Sequence, residues 1–340
     1  MAKASEVHFG LALAGDKPLS EYAALAQLAE RYGFETLSIY DDLMFKPAWP
    51  ILMTIATQTS RIRLGPAVAN PYLTHPALIA GNLAVLDEAC AGRAFLGLGR
   101  GAFLEYVDII PASPITALRE TIDIVRRLLA GERSPYHGQL FRVTEAAFFR
   151  WQPVRSQVPI LVGAWGEKMC ELAGELADEV KAAPVWNAGY VRQIHSHIAA
   201  GASKAGRDAT QVKLVVGPIT SIAEDRAEAR AYAARSLAVY LPYLSPMTEA
   251  VGISEDEIAR VREASSRGDY ARAANFVSEA SLNSFALWGT PPDCIEQIEQ
   301  MAAQAPVARI EFGTPHGPNE PEAIRLLGEQ VLPHFSGRRA

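Results

Sequence analysis

Short β-branched runs alternate along the chain with longer segments whose apolar residues recur at helical spacing. Val7–Leu13 predicts a strand, and Ser20–Tyr32 a helix with Ser20 as N-cap and Gly33 at its end. Phe34–Tyr40 is the second expected strand, and Pro47–Thr57 the helix after it. The pattern continues with strand Arg61–Val68, helix Pro76–Ala91 stopped by Gly92, strand Arg93–Gly99 and helix Ile115–Ala130 ended by Gly131. A polar excursion, His137–Arg150, is expected to hold an extra hairpin before strand Val158–Gly163 and helix Glu167–Ala177. Strands Asp178–Ala183 and Lys213–Ile222 follow, with helices Gly189–Ala205 and Asp225–Tyr240. Leu241–Leu287 interrupts the rhythm with polar, helical material. Helix Pro291–Gln304, strand Val307–Phe312 and helix Glu320–Leu332 close the chain.

Eight strands, apolar over nearly their whole length and each followed by a helix, imply a parallel sheet covered on one face. Right-handed crossovers then close that sheet into a (β/α)8 TIM barrel with insertions. The 340 residues exceed the roughly 250 of a plain barrel by the length of the insertions. No linker is visible, so one domain over 1–340 is expected, with a helical insertion at about 241–287.

Composition narrows the partners. With 32 Lys and Arg against 38 Asp and Glu, the formal net charge is −6, a poor match for nucleic acid, which favours a basic face. No run approaches the roughly 20 apolar residues that cross a bilayer. Cys90, Cys170 and Cys294 lie far apart in helical patterns, as buried small hydrophobes do. A cytoplasmic protein is expected.

In such a barrel the working groups sit at the C-terminal ends of the strands. The second end carries Tyr40-Asp41-Asp42, two carboxylates at the mouth. The fourth (Gly97-Leu98-Gly99-Arg100-Gly101) and the fifth (Gly163-Ala164-Trp165-Gly166-Glu167-Lys168) are adjacent and glycine-rich. Glycine lets backbone N–H groups approach an anion, the helix starting near Gly166 offers a partly positive end, and Arg100 adds a phosphate donor. A phosphorylated ligand follows, although glycines that merely ease tight corners explain the same letters. His195 and His197, two apart on a helix, cannot share a metal, and no metal site is expected. His75 beside Pro76 reads as a capping or packing residue, whereas His316, after the last strand, is a candidate for the mouth. Without a recognisable nucleophile and base, an organic cofactor is the natural carrier of difficult chemistry.

The stretch from Leu64 to Pro76, LGPAVANPYLTHP, resembles the third-strand signature of the bacterial luciferase-like superfamily. It is closest to the coenzyme F420-dependent branch typified by methylenetetrahydromethanopterin reductase. The segment GAWGEKMCELAG from Gly163 to Gly174 is similar to that family's fifth-strand segment, and AERYGFE from Ala29 to Glu35 to its first helix and second strand. The resemblance implies a commonly dimeric barrel, here a homodimer, holding a deazaflavin or a flavin at the strand ends. It implies a non-proline cis peptide behind the ring, between Ala67 and Val68. It places Asp41 and Asn70 near the ring, and Gly99, Arg100, Gly101, Ala164, Trp165, Gly166 and Glu167 at the cofactor's phosphate. Relatives often carry Asp-His where this chain has Asp41-Asp42, so Asp42 becomes the candidate for proton transfer. The expected activity is hydride transfer between reduced F420 and a small organic substrate. An FMN-dependent monooxygenase is the alternative, and a non-catalytic flavin-binding subunit the second.

Overall fold

The computed structural model describes residues 7–336. Its strands are β1 (His8–Leu13), β2 (Thr36–Ile39), β3 (Arg63–Pro66), β4 (Leu96–Leu98), β5 (Tyr136–His137), β6 (Arg142–Val143), β7 (Ile160–Gly163), β8 (Glu179–Ala182), β9 (Lys213–Val216), β10 (Ile219–Ile222), β11 (Ala286–Gly289) and β12 (Arg309–His316). The main helices between them are α1 (Leu19–Tyr32), α2 (Ala48–Ala56), α3 (Pro76–Ala89), α4 (Pro114–Leu129), α5 (Glu167–Leu176), α6 (Ala188–Lys204) and α7 (Arg226–Tyr240). Four short helices follow: α8 (Met247–Ala250), α9 (Glu255–Ser265), α10 (Tyr270–Ala274) and α11 (Glu279–Phe285). Beyond β11 come α12 (Pro291–Gln304), α13 (Glu320–Leu326) and α14 (Leu332–Ser336).

Eight strands run side by side in the order β3-β2-β1-β12-β9-β8-β7-β4, every pairing parallel. Parallel bridges Leu64–Ala94 and Ala69–Leu98 carry β3 round to β4. This is the expected barrel, built from the expected eight strands. Alternation along each strand sends one set of side chains outward and the other into the barrel. The outward set, such as Leu11, Leu37 and Ile310, meets the helices in one large core. In α1 the buried Tyr22, Leu25, Ala26 and Ala29 recur at helical spacing. The inward set is different in kind. Phe95, Leu161 and Val215 form a small apolar plug against Val68, and beside it lie buried Glu179, Lys181, Arg309 and Glu311.

Several local expectations change. Ser20 is not the N-cap of α1; Pro18, two residues earlier, holds that position without a side-chain cap, its fixed φ setting the entry turn. The predicted strand Lys213–Ile222 breaks at Gly217-Pro218 into β9 and β10, because proline cannot donate to a ladder. The segment after α7 is helical as expected, but its end forms β11, which pairs with β10 outside the ring. The predicted hairpin is present as the antiparallel pair β5–β6. All three cysteines are buried and free.

Candidate active site

The mouth is shaped first by Val68. The Ala67–Val68 peptide is cis, as the resemblance implied, and among the described residues it is the non-proline case of four cis bonds. The Val68 side chain crosses to the ends of β4 and β7, where it meets three glycines. A Cβ on Gly99 would sit 2.4 Å from Val68 Cγ2, one on Gly163 3.2 Å from Cγ1, and one on Gly97 3.4 Å from Cγ1. Gly99 and Gly163 therefore make room for the Val68 wall, whereas a Cβ on Gly97 would first meet Pro66 O at 2.0 Å. The pairing of Leu98 with Val162 confirms that the two glycine-rich ends are neighbours.

What remains for an anion lies just beyond. A Cβ on Gly166 meets nothing within 4 Å, and Gly166 opens α5 without a side-chain cap, leaving the first turn's N–H groups to an outside acceptor. Arg100 is exposed on the neighbouring loop. Gly101, at φ +89°, passes against Asn70, whose Cγ lies 2.8 Å from where a Cβ would be. Ala164 is buried and donates to Lys181 O at 3.0 Å, and Trp165 O accepts from the Tyr190 hydroxyl at 2.9 Å. Glu167 is exposed in the first turn of α5. An open helix end suits a phosphate, and Arg100 on the loop after the neighbouring β4 adds a cation at the same rim, so these residues fit an anionic cofactor tail.

Asn70 is buried, and its Oδ1 accepts from the N–H of Tyr72 at 3.1 Å and of Leu73 at 3.0 Å. That oxygen closes a turn, so only the amide nitrogen is left to face a ring. Asp41 is similarly committed: its Oδ1 accepts from Ala48 N at 3.0 Å, at the start of α2. Burial lifts its carboxyl above the usual range, opposed by that hydrogen bond. Asp42 is pushed up to about 6, first by burial and then by Asp41 beside it, with Lys181 opposing. Burial raises the Tyr40 and Tyr240 hydroxyls well above normal, and the negative charge of Asp42 adds to both shifts. Asp42 thus carries a proton into the range where a general acid is useful.

His316 does not serve the mouth as expected. It is fully buried, with Nδ1 2.9 Å from Glu320 Oε1 and Nε2 3.1 Å from Phe312 O, and it anchors the last strand. His75 caps α3 through Ala77 N, as read from its proline neighbour. In the insertion, Arg260 pairs with Asp256 within α9, and Arg267, just beyond α9, pairs with Glu263 on it. Tyr243 instead reaches Phe103 edge-on at 6.2 Å, and Phe103 stacks on Tyr106 at 5.3 Å. Sequence reasoning passed over Lys181 and Glu311, although charged letters inside buried parallel strands are themselves a signal.

The profile of the luciferase-like monooxygenase family matches residues 4–309. The chain belongs to that family. It is 33% identical over 336 residues to the 5,10-methylenetetrahydromethanopterin reductase of Archaeoglobus fulgidus, covering 96% of this chain and 98% of the relative. An F420-dependent glucose-6-phosphate dehydrogenase from Nakamurella multipartita is 28% identical, with 93% and 92% covered. The solved structure of the coenzyme F420-dependent tetrahydromethanopterin reductase of Methanopyrus kandleri superimposes with a TM-score of 0.91 at 30% identity, covering 97% of this luciferase-like chain and all of the other.

Proposed function

We propose that this luciferase-like protein is an oxidoreductase that passes a hydride between coenzyme F420 and a small organic substrate. The observation that carries this reading is the pairing of the Val68 wall with the open, uncapped end of α5 at Gly166. Full-length similarity to F420-dependent reductases supports the choice of cofactor. Arg100 and the N–H groups after Gly166 would hold the cofactor's phosphate, and Val68 and the Asn70 amide nitrogen would border its ring. The bound deazaflavin supplies hydride-transfer chemistry. Asp42, protonated below about 6, gives its proton to the substrate atom that gains an electron pair and is left as a carboxylate. Asp41 fixes the loop that carries it.

Titration with F420 and with FMN, oxidised and reduced, followed by fluorescence quenching, tests the reading. Micromolar binding of F420 is expected; micromolar FMN binding without F420 binding overturns it in favour of the monooxygenase. Binding without turnover on a broad substrate panel favours the non-catalytic subunit. The same reading makes the protein a homodimer of the cytoplasm. Exposed Leu78 and Val85 on one face of α3 support the first, and three unpaired cysteines the second.

A further inference from the structure

Going round the barrel, the strand ends follow the order β4, β7, β8, β9, β12, β1, β2, β3. An aromatic contact crosses this circle. Phe103, on the loop after β4, meets Tyr243 edge-on at 6.2 Å and stacks on Tyr106 at 5.3 Å. Tyr243 belongs to the segment that follows β10 and α7, and β10 continues β9 past Gly217-Pro218. The contact therefore joins points three strands apart on the circle and divides the mouth in two. On one side lie the ends of β7 and β8, with Gly166. There the insertion is also tied to the loop after β8, where the Trp186 N–H donates to Ser284 O at 2.6 Å. On the other side lie the ends of β12, β1, β2 and β3, with Asp41 and Asp42.

The two openings differ in chemistry. The first offers the uncapped helix end at Gly166, which favours an anion. The second is apolar at its edge and acidic at its base. Met44 is 69% exposed and Phe45 39%, on the loop that carries Asp41 and Asp42. Lys46 laces that loop to the end of β1, its N–H donating to Gly15 O at 2.8 Å. The charged side chains on the loops after β1 and β2, with the first residue of α13, are Asp16, Asp41, Asp42 and Glu320 against Lys17 and Lys46. The loop after β3 adds no Asp, Glu, Lys or Arg. Lys17 is held between Asp16 at 2.6 Å and Glu320 at 3.2 Å, and Lys181 below is ion-paired with Glu311. Exposed apolar side chains rimmed by polar groups mark a place where apolar matter docks, and an excess of carboxylates opposes an anion there.

We propose that the substrate enters by this second opening and is an uncharged molecule with an apolar body, with Met44 and Phe45 as specificity-determining residues. They border the part of the substrate that does not react, and the carboxylates around them turn away sugar phosphates and free carboxylic acids. The anionic end of the cofactor is served on the far side of the aromatic bridge, so the two ligands do not compete for one charge environment. The proposal rests on the reading of this mouth as an oxidoreductase site.

Two measurements test it. In protein without cofactor, Met44→Cys and, separately, Gly166→Cys are labelled with a matched pair of methanethiosulfonates, one bearing a sulfonate and the other a trimethylammonium. The native cysteines are buried and serve as the unreactive background. In Met44→Cys the anionic reagent is expected to react at least about 10-fold more slowly than the cationic one; in Gly166→Cys that preference is expected to be lost or reversed. The same preference at both positions, or faster reaction of the anionic reagent in Met44→Cys, overturns the proposal. The second measurement compares turnover of benzaldehyde and of 4-formylbenzoate with reduced F420, two acceptors that differ by a remote carboxylate. For benzaldehyde kcat/KM is expected to be at least about 10-fold higher. Met44→Lys is expected to narrow the gap by raising 4-formylbenzoate alone, and Met44→Leu to leave it as in the parent. Equal use of the two aldehydes, or a gap that Met44→Lys does not move, overturns the proposal. Where neither aldehyde is turned over, the labelling alone decides the substrate class, and F420 binding by fluorescence decides the cofactor reading.

Discussion

Replacing Asp42 by asparagine isolates the energetic cost of keeping an ionisable group at the mouth. Its carboxyl is raised from 3.8 to about 6, chiefly by burial. A raised carboxyl binds its proton more tightly folded than unfolded, so its contribution to stability is full below pH 3.8. It declines as pH rises and is gone above about 6. At 1.36 kcal/mol for each pH step of displacement, the loss across that window is about 3 kcal/mol, and about 2 kcal/mol once partial solvent access is allowed for. The neutral amide of the Asp42→Asn variant carries no such dependence. Urea unfolding of the parent and of Asp42→Asn at pH 4 and pH 8 is the assay. The stability difference between the two proteins is expected to shift by about 2 kcal/mol in favour of the variant on going to pH 8. Other carboxylates, including Glu30 and Glu179, which titrate at about 2, cancel in that difference. A difference that stays constant with pH refutes the account of Asp42 as a carboxyl held up by burial.

Two further substitutions separate the wall from the anion site. Gly166→Asp meets open space, so thermal melting is expected to be unchanged. F420 affinity falls at least about 100-fold, because a carboxylate then occupies a site whose charge-assisted bonds are worth about 1.5–3 kcal/mol each; unchanged affinity in a fluorescence titration refutes the placement. Gly99→Ala brings a Cβ to 2.4 Å from Val68 Cγ2, and the stiff β-branched valine cannot swing away cheaply. A loss of about 1–3 kcal/mol in urea unfolding, together with weaker F420 binding, is expected.

The barrel was legible because its signals are local. The apolar runs of β1, β2 and β7 and the glycine stop at Gly33, which adopts φ +86°, each declare themselves within a few residues. Asp41 and Gly166 are candidates because strand ends are where barrel chemistry sits, and Asn70 because of the resemblance of the third-strand segment. The rest depends on contacts distant in sequence. That Gly99 also makes room for Val68, some thirty residues upstream, shows only in the folded chain. His316 reads as a mouth residue until Glu320 and Phe312 O are seen to take both ring nitrogens. Lys181 and Glu311 are 130 residues apart, and neither letter alone indicates that they share the barrel interior. Proline, by contrast, acts locally, and Pro18 and Pro218 moved two boundaries that helical and strand periodicity alone placed differently.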